Sequence, residues 1–179
     1  LCATFLSYHR YRIFETLNNT INIGHNQSVL VIGVGPGIEL AILQDKSDNI
    51  SAYDTDISAF IKKTFPEFHL SEKHFMYDPD KLYDKIILIE LLEHLENPEN
   101  LLIDAMKSLK SNGRIHFTTA VNIPQFDHLY NFELNDINII KWIVKNGFKI
   151  ESKLDIPHNY PISVNAYNCY YVIKKINDY

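Results

Sequence analysis

VLVIGVGPG, residues 29–37, is the stretch that decides the fold. An apolar run of strand length, Val29–Gly33, passes into glycines at 33, 35 and 37, spaced G-x-G-x-G. The whole chain has six glycines, so half of them fall within five positions. Glycine accepts the positive φ of a tight turn and leaves no Cβ between the backbone and a ligand. A strand, a glycine turn and then a helical segment make a nucleotide-binding arrangement. The dinucleotide fingerprint is G-x-G-x-x-G. Here the third glycine comes one position early, and Pro36 removes an N–H that a pyrophosphate would use. Both departures argue against a nicotinamide cofactor and the oxidoreductase reading that goes with it.

Outward from this loop, strand and helix patterns alternate. IELAILQ (38–44) reads as a helix and ISAYD (50–54) as a strand. DISAFIKKTF (56–65) reads as a helix capped by Asp56. HFMY (74–77) reads as a short strand, and DKIILIE (84–90), apolar on both faces, as a buried one. Residues 97–110 form the clearest helix, with Asn97 as cap, Pro98 at the first helical position and an apolar face of Leu101, Leu102, Ala105, Met106 and Leu109; Gly113 ends it. RIHFTTAV (114–121) is a strand, and ELNDINIIKWIVKN (133–146) a helix closed by Gly147. FKIESKL and YNCYYVIKK follow as two strands that pair antiparallel through a loop at 155–166. Residues 3–18 make an amphipathic helix.

Strands separated by helices imply a parallel sheet with right-handed crossovers. The expected fold is therefore α/β: seven strands, mostly parallel with an antiparallel last strand, and helices on both faces. The expected organisation is a single domain over 1–179, with an N-terminal helical lid (1–23), a cofactor-binding core (27–150) and a C-terminal hairpin (151–179).

The chain has 179 residues, enough to bury a core without staples. Its net charge of −5, with no run of one sign, disfavours a broad nucleic-acid surface, which needs a basic stripe. Cys2 and Cys169 form no C-x-x-C pair, so no disulfide framework or zinc knuckle is expected. A reducing, cytoplasmic location follows. No apolar run approaches the ~18 residues of a membrane span, and no signal-peptide pattern appears. The chain begins at Leu1, so a preceding N-terminal piece is expected.

Asp54 ends the second strand, where a carboxylate can accept two hydrogen bonds from a ribose 2′,3′-diol. Asp78 follows the third strand and is placed to accept from an adenine amino group. The glycine loop and the acid at the next strand end point to an adenosine cofactor.

VLVIGVGPG, AYDTD, YDKIILIELLEHLENPENLL and LKSNGRIHFTT together resemble the Rossmann-type (class I) S-adenosylmethionine-dependent methyltransferases, over residues 27–150. The tail resembles the terminal hairpin of that family. The resemblance implies S-adenosylmethionine as cofactor, with Gly33, Gly35 and Gly37 under its methionine and ribose parts. It places Asp54 on the ribose hydroxyls with Thr55 beside it, Asp78 at the adenine, and the backbone near Ile89 and Glu90 at the methionyl amine.

A second constellation lies in IELLEHL (89–95), which holds Glu90, Glu93 and His94. A helical turn after the fourth strand would put these on one face. Carboxylates that close repel unless one holds a proton or a cation sits among them. His128 follows the next strand, on the same ligand-binding edge of the sheet. E-x-x-E-H with a later His resembles two subgroups: the ubiquinone-biosynthesis O-methyltransferases and the small-RNA 2′-O-methyltransferases.

Three roles stay open for Glu90, Glu93, His94 and His128. One is a divalent metal site, for Mn, Fe, Co or Zn ahead of Mg. The second is acid–base catalysis by His94 or His128 with Glu93, and the third is a structural role. His9, Arg10 and Arg12 read as a solvated helix face or a substrate lid. Trp142 and His116 read as packed residues, and His158, Asn159 and Tyr160 as hairpin-loop residues open to substrate contact.

The expected function is methyl transfer from S-adenosylmethionine to a hydroxyl of a small molecule, with or without metal assistance. An RNA terminal-ribose 2′-O-methyltransferase and a catalytically silent binding module are the alternatives. A homodimer and a part of a larger biosynthetic enzyme are both open.

Overall fold

The computed structural model describes residues 7–24, 26–123, 125–129, 137–158 and 166–176. Its elements in chain order are α1 (Tyr8–Thr20), β1 (Val29–Ile32), α2 (Ile38–Leu43), β2 (Ile50–Asp54), α3 (Ala59–Thr64), β3 (His69–Glu72) and β4 (Tyr83–Leu88). A 3₁₀ turn (Leu92–His94), α4 (Pro98–Lys107), β5 (Leu109–Val121), α5 (Ile137–Lys145), β6 (Phe148–Pro157) and β7 (Tyr167–Lys175) follow.

The seven strands form one sheet in the order β3-β2-β1-β4-β5-β7-β6. β3, β2, β1, β4 and β5 run parallel; β7 pairs antiparallel with both β5 and β6. This is the expected α/β architecture. Every residue of β1 is buried because both faces of the sheet are covered. Val29 and Val31 pack with Ile13, Phe14 and Leu17 of α1, Leu40 and Leu43 of α2, and Ile61 of α3. Leu30 and Ile32 belong to the opposite layer, with Leu102, Ala105 and Met106 of α4 and Ile143 of α5. β1 lies between β2 and β4, so the chain's order reverses there. A crevice opens outside the carboxyl ends of strands at such a switch point. The glycine loop and the turn after β4 both lie at it.

Local details differ from the sequence reading for identifiable reasons. The third strand is His69–Glu72, not 74–77. It is an exposed edge strand without an apolar pattern, whereas Phe75 is buried by packing edge-on against Tyr53, with ring centroids 5.2 Å apart. The fourth strand stops at Leu88, two residues early.

Asp56 does not cap a helix. Its N–H donates to Asp54 Oδ1 at 3.2 Å, and the helix starts later with Ser58 as cap, its Oγ accepting from the Ile61 N–H at 3.3 Å. Gly113 does not stop α4; it lies inside β5, in a bulge where β4 advances from Tyr83 to Lys85 while β5 advances from Leu109 to Arg114. A Cβ on Gly113 would lie 2.9 Å from the Asp84 carbonyl oxygen, so close backbone approach selects glycine there. The first helix runs to Thr20, and the last is described from Ile137; residues 1–6 and 130–136 lie outside the described part.

Candidate active site

The glycine loop turns through positive φ at Gly33 (81°), Gly35 (45°) and Gly37 (81°). The three positions serve different needs. A Cβ on Gly37 would sit 2.3 Å from Ile61 Cδ1, so this glycine lets the loop close onto α3. A Cβ on Gly35 would meet nothing within 4 Å, because its Cα faces the open crevice.

Asp54 holds the loop in shape. Its Oδ2 accepts from the N–H groups of Val34 at 2.7 Å and Gly35 at 3.0 Å. The carboxylate therefore links the end of β2 to the glycine turn across the switch point.

Two adjoining clefts share Gly33, Asp54 and Leu91. The larger, about 400 Å³, has Tyr53, Phe75 and Leu101 as apolar walls, with Thr55 at its rim. Its further polar groups include Asn97, which the sequence reading took only as a helix cap, and Asn100 and Asp104, which it did not single out. Asp78 is not among its walls. That carboxylate turns into its own loop, accepting from the Asp80 N–H at 3.0 Å, with Lys81 Nζ 3.8 Å away. The shift of β3 to 69–72 explains the miss: the segment expected to end at Asp78 is a loop.

The smaller cleft, about 200 Å³, is walled by Gly33, Gly35, Ile89 and Glu90 and roofed by Arg10 and Phe14 of α1. Its remaining acid is Glu39 of α2, another residue the sequence reading passed over. An acid inside the otherwise apolar IELAIL was the available signal.

After β4 the chain turns sharply at Glu90, a non-glycine residue at φ +50°. The turn is fixed by the Glu90 N–H donating to Thr118 Oγ1 at 2.8 Å and by Asn168 Nδ2 donating to Glu90 Oε1 at 2.7 Å. Arg10 Nε lies 3.4 Å from Glu90 Oε2. Burial raises the Glu90 carboxyl above its ordinary range, and Arg10 opposes this.

His9 stacks on His158, ring centroids 3.7 Å apart, and His158 Nε2 hydrogen-bonds to Asn168 Oδ1. Burial, then His158 and Arg10, push His9 down to about 4. The solvated-face reading of α1 therefore fails for His9 and Arg10, which turn inward, and holds for Arg12, which sits at the surface beside Glu15. Asn159 and Tyr160 lie outside the described residues.

The segment expected to be α-helical after β4 is a single 3₁₀ turn, so Glu90 does not share a face with Glu93 and His94. Glu93, His94 and His128 do converge: one ligand atom from each lies within 4.8 Å of the others. Glu90 stands outside this group, its carboxylate engaged by Asn168 and Arg10.

Glu93 is 1% exposed, and its Oε2 has no hydrogen-bond partner. Burial, then the nearby Glu90, push its carboxyl up to about 8. His94 Nδ1 donates to the Asp127 carbonyl oxygen at 3.0 Å, which leaves Nε2 as the acceptor nitrogen. The His128 ring meets the His94 ring edge-on at 5.1 Å. Burial, then His94 nearby, lower the His128 pKa below the ordinary imidazole value. A buried carboxylate oxygen without a donor beside two imidazole nitrogens is a donor set that suits a borderline divalent cation.

His116 is packed in the sheet, Nδ1 at 2.9 Å from the Tyr170 hydroxyl, and Trp142 packs half-buried against the α4–α5 layer. Cys169 is buried, its thiol donating to Asp155 Oδ1 at 3.2 Å. Among the described residues no helix is long and apolar enough to cross a membrane.

Residues 5–151 match the model of a methyltransferase domain family. The chain is 26% identical over 140 residues to a ubiquinone biosynthesis O-methyltransferase of Rickettsia conorii, covering 74% of this chain and 47% of that one. It thus spans about half the length of the curated relatives it matches. Among solved structures it superimposes on the N-methyltransferase NodS from Bradyrhizobium japonicum WM9 with TM-score 0.72 at 15% identity, covering 95% of this chain and 97% of that one. It also superimposes on the [4+2]-cyclase SpnF with TM-score 0.75 at 13% identity, covering 93% of this chain and 80% of that one. At such identities the likeness is one of fold. The family match over most of the chain, on a sheet with a glycine turn and an acid at the neighbouring strand end, shows that this chain belongs to the Rossmann-type S-adenosylmethionine-dependent methyltransferases.

Proposed function

We propose that the chain transfers a methyl group from S-adenosylmethionine to a hydroxyl of a small molecule, with Glu93, His94 and His128 activating that hydroxyl. One observation carries the reading: the Glu93–His94–His128 group begins two residues beyond Leu91, which walls both halves of the crevice. Cofactor and activating groups thus meet at one sheet edge. The ubiquinone-biosynthesis relatives, which are O-methyltransferases, favour oxygen as the acceptor atom.

The bound cofactor supplies an electrophilic methyl on a cationic sulfur. The chain's own residues do the rest. Gly33 and Gly35 leave the floor of the crevice free of side chains, and Asp54 fixes the loop through two amides while retaining lone pairs for the ribose diol. Tyr53, Phe75 and Leu101 shape the larger cleft for the adenine ring. Arg10 and Phe14 roof the smaller cleft and keep water from the transfer point. Much of the barrier falls through this positioning, because methyl transfer needs acceptor, carbon and sulfur in line.

His128, whose pKa burial lowers, takes the acceptor proton, and His94 presents a fixed tautomer beside it. The same side chains, with Glu93, fit a divalent metal, which when held there lowers the pKa of a bound hydroxyl. The acidic balance of the chain argues against an RNA acceptor.

Calorimetry with S-adenosylmethionine and its demethylated product, followed by turnover of a panel of phenols with Mn²⁺ and with chelator, tests the reading. Binding of both ligands and phenol methylation are expected. Loss of turnover on chelation identifies the metal route, and retention identifies His128 as the base. The absence of binding heat for either ligand overturns the proposal.

A further inference from the structure

Among the described residues, two carboxyl groups are buried with an oxygen that no donor reaches. Glu93 belongs to the group already described. The other is Glu39, 3% exposed, on the opposite wall of the smaller cleft. Its neighbours in α2, Ile38, Leu40 and Leu43, lie in the hydrophobic core, where a leucine or methionine would serve packing better. As the acid in the first turn of α2, Glu39 accepts from its own backbone N–H and complements the helix dipole, yet its Oε2 is buried without a donor.

The charges around it suggest a purpose. The smaller cleft carries three acids, Glu39, Glu90 and Asp54, and one cation, Arg10. Arg10 is directed to Glu90, and Asp54 is held by the glycine-loop amides. Among the described residues that line this cleft, only Glu39 has a buried carboxyl oxygen that no donor reaches. Such a wall is complementary to a cation, and the cofactor of the proposed reaction carries two at its methionyl end: the α-ammonium and the sulfonium.

We infer that Glu39 is a cofactor-binding residue that receives positive charge from the methionyl end of S-adenosylmethionine. The inference rests on the proposed cofactor and adds a residue to its site. Burial, then the nearby Glu90 and Asp54, hold the carboxyl at about 8, and a cation seated against it favours the ionised form. The proton goes to solvent, and the carboxylate forms one charge-assisted contact in a water-poor wall.

The test is calorimetric. Wild type and Glu39→Gln, nearly equal in shape, are titrated with S-adenosylmethionine, S-adenosylhomocysteine and 5′-methylthioadenosine, which carry two, one and no positive charges at that end. The expected result is a loss of about 10- to 100-fold in S-adenosylmethionine affinity with methylthioadenosine unchanged. If homocysteine-ligand affinity falls equally, the ammonium is the contact; if it holds, the sulfonium is. Glu39→Met, suited to the apolar helix, repeats the test in a form that cannot hydrogen-bond.

Unchanged S-adenosylmethionine affinity in both variants overturns the inference. An equal loss for all three ligands overturns it as well, because that marks a merely structural role. A wild-type chain that binds none of the three overturns the cofactor reading itself, and this inference with it.

Discussion

The loop after β1 and the turn after β4 leave adjacent strands at the same sheet edge, and each depends on a carboxylate used in the opposite way. Asp54 is partly exposed and has donors on both oxygens: Val34 and Gly35 amides on one, the Asp56 amide on the other. Glu93 is buried, with one oxygen that no donor reaches. The glycine loop is thus held in one shape by its neighbouring acid, whereas the turn after β4 carries a buried carboxyl oxygen without a donor. Binding geometry is built in at the first, and reactivity is held ready at the second.

The comparison breaks most directly at His128. His128→Ala should lower turnover by about 10²- to 10⁴-fold while cofactor affinity measured by calorimetry stays nearly unchanged. A parallel loss of affinity would mean the two regions are not separable.

A second test concerns stability against pH. Glu39 and Glu93, near 4.5 when unfolded, are held at about 8 in the fold. Their folded pKa values are raised, so their contribution is complete below pH 4.5 and is lost as pH rises through 8. His9 and His116 are depressed to about 4 and about 3 from 6.5, so theirs is complete above 6.5 and lost as pH falls. Melting temperature should therefore peak between these limits. Glu93→Gln should flatten the alkaline fall by an amount on the order of a few kcal/mol at pH 9.

Asp54→Ala removes the acceptor of two loop amides and should cost about 1–3 kcal/mol in denaturant unfolding, together with most cofactor affinity. Gly37→Ala forces a Cβ into Ile61 at a positive φ and should cost about 1–3 kcal/mol, whereas Gly35→Ala has open space and pays only for its backbone. Tyr170→Phe, which cuts the Thr20–Tyr170–His116 hydroxyl link, should cost about 1 kcal/mol and leave both regions intact.

The fold was legible because its signals are local. Val29–Ile32 runs straight into glycines, and Asn97-Pro98 opens an apolar-faced helix. The third strand was not, because His69–Glu72 at the sheet edge has no apolar face to read. The site was legible in part. Glu93, His94 and His128 converge as the motif suggested, while Glu90 parts from them because its positive φ breaks the helical spacing. No local pattern announces that backbone value. The inward turn of His9 and Arg10 depends on contacts with His158 and Glu90, 149 and 80 residues away along the chain, and sequence periodicity carries no such information.

β6 closes one side of the sheet, and among the described residues no further strand pairs with it. Ten residues long, it presents an open row of backbone donors and acceptors that would template another chain. Lys149, Glu151, Lys153 and Asp155 are all exposed along it, in alternating sign. A second molecule laid edge to edge in register would have to bury or oppose those charges. The rim thus guards against sticking, and replacing its lysines with valine or threonine would turn a monomer-friendly border into a seed for fibrillar association.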